Sequence, residues 1–214
     1  MIGLYILVLP LIDILTIPDG WSRVMPEPGS FGEYLHQLSF EITDSTYFWD
    51  GTASIYHSVA AVHKFKGLTE IEQCADVIMR FYSDFIKSKG QVVSWHDVQG
   101  NLKTWNGMDY AKFMRDIYNY SNTYSLYKFD SFPVKVNDAK PGDILVIPGF
   151  PGHIVLIVDV LKKDDKIKLA VVEGFTPAVQ PFLYRPGPEL HLTWNNGISV
   201  SGYSFAGENL RRIK

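Results

Sequence analysis

The sequence lacks most of the residues from which metal sites and disulfide frameworks are built. Only one of its 214 residues is a cysteine, Cys74, so no disulfide can form within the chain. The six histidines include no HExxH motif, and no cysteine and histidine pattern has the spacing of a zinc site. We therefore expect no metal and no other cofactor.

Charge of one sign is also scarce. The chain has 20 lysines and arginines against 23 aspartates and glutamates, which gives a formal net charge of -3. It has no basic block and no basic stripe interleaved with aromatic residues. Because a surface that binds nucleic acid normally carries such a basic patch, we expect no nucleic acid partner.

Long apolar runs are missing as well. The opening stretch MIGLYILVLPLI is too short to cross a bilayer, carries no Lys or Arg and precedes no small-residue cleavage site. It indicates either a degenerate signal segment or an N-terminal strand or packing arm, and we favour the arm. We predict this arm over residues 1–16, a single domain over residues 17–214 and no integral membrane span. The sequence does not indicate an oligomeric state.

The most regular stretch runs from Pro141 to Thr176 and reads PGDILVIPGFPGHIVLIVDVLKKDDKIKLAVVEGFT. Its three apolar runs, rich in β-branched residues, are Asp143–Pro148, His153–Leu161 and Ile167–Glu173. Each has the length of a buried strand, and glycine, proline or charged residues separate them. The pattern predicts a three-stranded antiparallel meander.

A histidine and a carboxylate stand at the ends of two of these strands. His153 opens the second strand, Glu173 closes the third, and the turn between them lies at Lys162–Lys166. Antiparallel pairing therefore predicts that the two side chains are near neighbours. A carboxylate beside an imidazole fixes its tautomer and supports its charged form, which is half of a nucleophilic site. The alternative is that a histidine after Pro-Gly is only a turn residue.

The single cysteine lies in a predicted helix. Thr69 and Glu72 have the spacing of a capping box, and apolar residues follow at three- and four-residue steps as far as Lys87–Gly90. Cys74 lies on this apolar stripe, so it is either a nucleophile or a packed or ligand-facing thiol. With Thr69 as the N-cap, Cys74 lies one turn inside the helix, where the helix dipole stabilises a thiolate less.

The order of these elements resembles a known arrangement. The segments PGDILV, PGHIVLIVDV and VVEG, preceded by Gln73 and Cys74, are similar to the pattern of the bacterial CHAP and NlpC/P60 cysteine amidases and peptidases. The resemblance implies an α+β, papain-like fold whose antiparallel sheet packs on a central helix carrying Cys74. It implies a triad of Cys74, His153 and Glu173, with Gln73 beside the oxyanion. The implied substrates are peptide or amide bonds, with cell-wall peptides as the first expectation.

A second resemblance covers more of the chain. The segments SFGEYLHQL, EQCADVIMRFYSDF, SNTYSL, PGHIVLIVDV and TPAVQ are similar to an uncharacterised bacterial family known as domain of unknown function 4846. That family has no established activity, so it implies a shared fold more than a reaction. Its members are usually exported, which favours an exported or cell-envelope location, although this chain shows no clear signal peptide. The resemblance also implies that Thr123 and Ser125 line the pocket, whereas such hydroxyls otherwise cap or turn.

Two other classes of function remain open. The chain could have a papain-like fold that binds a peptide-like, small-molecule or cell-envelope ligand without catalysis, through an aromatic surface around Trp95, Trp105 and Trp194, with Trp105 lining the pocket. Alternatively, it could be a structural or interaction protein, and Cys74 would then lie far from His153. Elsewhere we predict helices at Phe31–Leu38 and Asp109–Tyr120, a turn at Asp50–Gly51, packing roles for Trp49, Tyr56 and His57, and loops with short strands after Glu173.

Overall fold

The computed structural model describes residues 6–56, 58–107 and 109–214. Residues 1–5 of the predicted arm, and His57, therefore lie outside the described residues. The helices are α1 (Leu11–Ile14), α2 (Phe31–Gln37), α3 (Cys74–Ser88), α4 (Tyr110–Tyr120) and α5 (Thr123–Ser125), with a π-helical segment at Leu126–Asp130 and 3-10 turns at Val136–Asp138 and Gly207–Asn209. The strands are β1 (Val8–Pro10), β2 (Ser22–Arg23), β3 (Ser39–Ile42), β4 (Val59–Val62), β5 (Ser94–His96), β6 (Leu102–Thr104), β7 (Ser131–Pro133), β8 (Ile144–Ile147), β9 (His153–Lys163), β10 (Lys166–Glu173), β11 (Phe182–Tyr184), β12 (Leu192–Thr193), β13 (Ile198–Val200), β14 (Tyr203–Phe205) and β15 (Leu210–Ile213).

A large antiparallel sheet organises the α+β fold. Its strand order is β1-β3-β4-β11-β10-β9-β8-β15-β7, and β2 and β12 add to β9 and β10 outside this order. The pairs β5-β6 and β13-β14 form separate hairpins. In the N-terminal arm, β1 pairs with β3, and Leu11 of α1 is buried in the core.

The predicted meander is confirmed as β8, β9 and β10. Ile147 lies opposite His153, and Lys163 lies opposite Lys166 across a turn of two aspartates. The first of them, Asp164, has φ 51°, a conformation that Asp tolerates better than most residues. These strands read as continuous apolar runs because both faces of the sheet are covered here.

The ladder between β9 and β10 contains a bulge. The register shifts between Ala170 and Val171, which leaves Val158 of β9 as an extra residue. Because side chains alternate along a strand, a shift of one residue decides which face each later side chain takes. Continuing the shifted register puts Glu173 on the same face as His153, whereas a regular ladder would turn Glu173 to the opposite face.

Each face of the sheet carries its own buried core. The first core lies beneath α3, the longest helix; its sheet residues include Ile154, Leu156, Val158, Ala170 and Val172. The second core lies beneath the β13-β14 hairpin and neighbouring loops; it includes Val155, Ile157, Leu169, Val171, Val200 and Phe205. Among the described residues, no helix is both long enough and apolar enough to pass through a bilayer.

The predicted start of α3 is wrong by more than one turn. The first helical residue is Cys74, and the backbone N–H of Gln73 donates to Oδ2 of Asp76 at 2.9 Å, which caps the helix. Thr69 forms a separate turn, since its N–H and hydroxyl both donate to Oε1 of Glu72. The helix ends at Ser88, and Gly90 follows with φ 68°, close to the predicted end.

The smaller elements agree closely with prediction. Helix α2 begins after Ser30, whose Oγ accepts the Glu33 N–H at 3.3 Å, and ends one residue before the predicted Leu38. Helix α4 begins after Asp109, which caps it through the Lys112 N–H. The turn at Asp50–Gly51 is present, closed by the bridge between Tyr47 and Ala53 and the hydrogen bond from Phe48 N–H to Thr52 O.

Candidate active site

His153 and Glu173 form a buried pair, as we predicted from the antiparallel pairing of their strands. Nε2 of His153 lies 2.8 Å from Oε2 of Glu173. The histidine is 2% exposed and the glutamate 0% exposed. A carboxylate in this position favours the tautomer with hydrogen on Nε2, so the lone pair of the neutral ring lies on Nδ1.

The β13-β14 hairpin closes over this pair. The hydroxyl of Ser201, in the turn, donates to Oε1 of Glu173 at 2.5 Å. The ring of Tyr203 stacks on the imidazole of His153 with 4.3 Å between centroids and 20° between planes. Neither residue was predicted from the sequence. The Ser-Gly dipeptide in ISVSGYSF indicates the turn but not its partner.

Cys74 lies at the N-terminus of α3, at the edge of an open cleft. The cleft has a volume of about 570 Å³, and its walls include Gln73, Cys74, Gly152 and Tyr203. The backbone N–H groups of Ala75 and Ile154 lie within hydrogen-bonding reach of the Cys74 sulfur. Since Ile154 directly follows His153, the thiol is beside the first residues of β9. The expectation for a structural or interaction protein, that Cys74 lies far from His153, stays a prediction, since the described contact joins the sulfur to the backbone of Ile154.

The thiol of Cys74 is more basic than a free cysteine. Burial raises its pKa to about 12, and the nearby carboxylate of Asp76 adds to the rise. Hydrogen bonds from the backbone of Ala75, Ile154 and Cys74 itself act in the opposite direction. Cys74 is therefore a neutral thiol at neutral pH in the absence of a base.

Asp76 is a buried carboxyl group in the same wall. It is 5% exposed, and among the described residues its Oδ1 has no hydrogen-bond partner, while Oδ2 accepts the Gln73 N–H. Burial raises its pKa well above the usual range, the Gln73 N–H acts against this rise and the nearby Glu72 adds to it. The group is therefore held toward its neutral form.

Replacing Asp76 with asparagine is expected to stabilise the protein increasingly as pH rises. The pKa of Asp76 is higher in the folded protein than in the unfolded chain. The free energy of unfolding therefore falls as pH rises from the pKa of the unfolded state to that of the folded state. Asparagine does not titrate, so Asp76→Asn should match the wild type near pH 4 and exceed it at pH 8. Urea unfolding at both values measures this. Asp165→Asn, in the exposed turn between β9 and β10, is the control, and an equal pH response in both variants would contradict the prediction.

Gln73 and Thr123 both line the cleft. The Oε1 of Gln73 accepts the hydroxyl of Thr176 at 3.1 Å, which leaves the amide NH₂ able to donate elsewhere. The hydroxyl of Thr123 donates to the carbonyl oxygen of Gly149, another lining residue, at 3.3 Å.

The other predicted pocket residues lie elsewhere. Ser125 is fully buried, and its hydroxyl donates to the carbonyl of Asn122 in the cap of α5. Trp105 packs on Tyr110 with 5.2 Å between ring centroids and joins the core beneath α3. Neither side chain is among the described residues that line the cleft.

The predicted aromatic surface does not exist as one patch. Trp95 is 1% exposed, and its indole N–H donates to Ser83 inside the first core. Trp105 is partly buried against that same core, whereas Trp194 packs on the second core, across the sheet. Of the aromatic residues predicted to pack, Tyr56 contacts Phe175 and Phe182, and Trp49 is largely exposed.

The described walls of the cleft carry no basic side chain. Its described lining includes the carboxyl groups of Glu70 and Asp76 but no lysine or arginine. Phe150 stands fully exposed at its rim. Among the described residues, no group of histidine, cysteine, aspartate and glutamate side chains could hold a metal ion.

Comparison with known proteins places the chain in one family. Neither the curated proteins nor the solved structures include a match to this chain. A family model matches residues 86–212, a span that contains His153, Glu173, Ser201 and Tyr203 and begins after Cys74. Because this match covers more than half of the chain, the protein belongs to the family described as domain of unknown function 4846.

Proposed function

We propose that the protein is a cysteine amidase or peptidase with a papain-like fold, and that Cys74, His153 and Glu173 are its catalytic residues. The observation that carries the proposal is the buried pair of His153 and Glu173, 2.8 Å apart, with the only thiol of the chain at the neighbouring helix N-terminus. A nucleophile, a base and a group that orients the base are the parts that covalent catalysis requires.

The arrangement of elements supports the papain-like assignment. Helix α3 packs against the sheet with Cys74 at its N-terminus, and β8, β9 and β10 follow it in the chain. The nucleophile, the base and the orienting carboxylate thus occur in the order in which CHAP and NlpC/P60 enzymes use them. Cys74 at the first helical position also lies nearer the free N–H groups of the helix than we predicted from the sequence.

The reaction begins with a neutral thiol. As the sulfur of Cys74 attacks the carbonyl carbon of a bound amide, its proton passes to Nδ1 of His153, and the imidazolium is supported by Glu173. The oxyanion accepts hydrogen bonds from the Cys74 backbone N–H and the Gln73 amide NH₂. When the C–N bond breaks, the imidazolium gives its proton to the leaving amine. Water then hydrolyses the thioester by the same steps and releases the carboxylic acid.

The open cleft, whose described walls carry Glu70 and no lysine or arginine, favours peptide-like substrates that are neutral or positively charged. Its described walls carry two carboxyl groups and several amide and hydroxyl groups that can bond a peptide backbone. Cell-wall peptides remain the first substrate class to test, together with the exported or cell-envelope location that such substrates require.

A second function is ligand binding by a catalytically inactive papain-like fold. The observation that favours it is the burial of Cys74, which is 9% exposed, since burial raises the pKa of its thiol to about 12. A thiol this basic stays protonated at neutral pH. It can contact a ligand as a small side chain in the wall of the cleft, but it does not attack the ligand unless a base removes its proton. The two functions therefore differ in whether Cys74 forms a covalent intermediate.

Acylation by an activated ester separates the two functions. We expect p-nitrophenyl acetate to release a burst of p-nitrophenolate and leave an acetyl group on Cys74, since a thioester intermediate is part of the proposed mechanism. Intact-mass analysis after acid quenching, followed by peptide mapping, locates the adduct.

Cys74→Ala and Asp165→Asn are the control variants. Cys74→Ala should lose both the burst and the adduct, whereas Asp165→Asn, in the exposed turn between β9 and β10, should keep both. If the wild type carries no adduct at Cys74, the amidase proposal is wrong and the ligand-binding function remains.

A further inference from the structure

We infer that Ser201 is a positioning residue for His153 and acts through Glu173. The inference rests on the proposed function, since it assigns a role toward the same base. It concerns a residue whose partner the sequence does not indicate and which is not among the described residues that line the cleft.

Both carboxylate oxygens of Glu173 have a hydrogen-bond partner. Its two carboxylate oxygens take different partners: Oε2 is 2.8 Å from Nε2 of His153, and Oε1 accepts the Ser201 hydroxyl at 2.5 Å. The carboxylate is 0% exposed, so water does not supply a substitute. With one donor on each oxygen, the plane of the carboxylate is fixed, and with it the direction from which the imidazole is held.

Two aromatic rings contact the imidazole of His153. Tyr203, two residues after Ser201, stacks on one side of the imidazole at 4.3 Å, and the ring of Phe175 lies 5.3 Å away at a tilt of 59°. These contacts restrict rotation of the ring about its bond to the strand. The hairpin therefore holds the base in two ways, through the carboxylate and through the ring.

The backbone of Ser201 has a conformation that serine seldom adopts. Ser201 has φ 48° and Gly202 has φ 86°, the left-handed conformation that central residues of a tight hairpin turn require. Glycine, asparagine and aspartate adopt this conformation more readily than serine. Asn196, in the preceding loop, illustrates the usual choice with φ 58°. Serine at this position therefore adopts a conformation that glycine would adopt more readily, and its hydroxyl supplies a hydrogen bond to Glu173 that glycine could not.

The test compares Ser201→Ala and Ser201→Gly with Ser199→Ala. Both Ser201 variants remove the hydroxyl, and the glycine variant also relieves the turn. Ser199 is in the same hairpin, but its hydroxyl bonds the exposed hydroxyl of Ser204 instead. The readout is the imidazole tautomer of His153 from long-range ¹H–¹⁵N NMR spectra, with the signal assigned by its loss in His153→Ala.

We expect the wild type and Ser199→Ala to hold the Nε2–H tautomer. In both Ser201 variants the tautomer ratio should shift toward Nδ1–H by about tenfold, the scale of one lost hydrogen bond to a charged group. An unchanged His153 tautomer in both Ser201 variants would overturn the inference. A shift in Ser201→Ala that is absent in Ser201→Gly would assign the effect to the backbone and overturn it too.

The same variants separate this inference from the proposed function. The NMR readout does not depend on whether Cys74 reacts. A tautomer shift in a protein that is never acylated would refute the amidase and leave the positioning role of Ser201 in place. Acylation at Cys74 together with an unchanged tautomer would support the amidase and refute the role of Ser201.

Discussion

Replacing His153 with alanine is expected to slow the alkylation of Cys74 by iodoacetamide about 100-fold at pH 7, the lower end of the range for a positioned general base. Burial raises the pKa of this thiol to about 12, so hardly any thiolate forms at pH 7 unless a base takes the proton. If His153 is that base, labelling of the wild type proceeds below the usual thiol pKa of about 8.5 and the variant loses this phase. Cys74 is the only cysteine, so total labelling reports this site alone.

The matched control is His96→Ala. His96 also pairs with a carboxylate, Asp130, at 2.6 Å, but it belongs to the separate β5-β6 hairpin and not to the sheet that contains β9. This variant should be alkylated at the rate of the wild type. If labelling of the wild type rises only at strongly alkaline pH and His153→Ala follows the same curve, His153 is not a base for Cys74.

Replacing Gly174 with alanine is expected to reduce the free energy of unfolding by about 3 kcal/mol, since overfilling a packed core forces backbone and side chains apart. A methyl group at Gly174 would lie 2.5 Å from Cγ2 of Val77 and 3.1 Å from its Cβ. Val77 is a fully buried residue of α3, one turn after Cys74. The glycine thus allows the helix that carries the thiol to approach the end of β10. Urea unfolding at constant pH measures the change.

Gly187→Ala is the control for this substitution. No described atom lies within 4 Å of the position that its methyl group would take, so its stability should change by less than about 1 kcal/mol. Adding Val77→Ala to Gly174→Ala should restore part of the lost stability, because the smaller side chain gives the new methyl group room. Equal stability of Gly174→Ala and Gly187→Ala would show that the helix does not need this close approach.

Local patterns were sufficient to predict the meander and the neighbouring pair at its ends. Apolar runs separated by turn residues set β8, β9 and β10, and antiparallel pairing brings His153 close to Glu173. The face on which Glu173 lies was not predictable in the same way. It depends on the bulge at Val158, whose effect appears only when both strands are paired.

The start of α3 was predicted wrongly for a physical reason. Thr69 is a better N-cap residue than Gln73, and Glu72 is at the right distance from it. In the folded chain Glu72 also accepts a hydrogen bond from Arg80 at 2.7 Å, so this carboxylate anchors a turn to the side of the helix. The cap is formed instead by Asp76, which binds the Gln73 N–H. The contact with Arg80, eight residues after Glu72, is not part of the capping-box pattern that the sequence shows.

The two hairpin residues at the site were missed because they are distant in sequence. Ser201 reaches Glu173 across 28 residues, and nothing in the short segment around it indicates a buried carboxylate as partner. Tyr203 has the pattern of an ordinary strand residue, partly buried on one side. Their role follows from how the hairpin folds over the second face of the sheet.

The position of β15 in the sheet affects how the chain can fold while it is synthesised on the ribosome. This strand lies between β8 and β7 inside the sheet, although it is made after both, and the hairpin with Ser201 and Tyr203 emerges only shortly before it. At about 5–20 residues per second, on the order of ten seconds pass between synthesis of Cys74 and of Tyr203. During that interval the nascent chain has Cys74 but lacks the hairpin that contacts His153 and Glu173. The buried pair can therefore acquire its full set of partners only when synthesis of the chain is nearly complete.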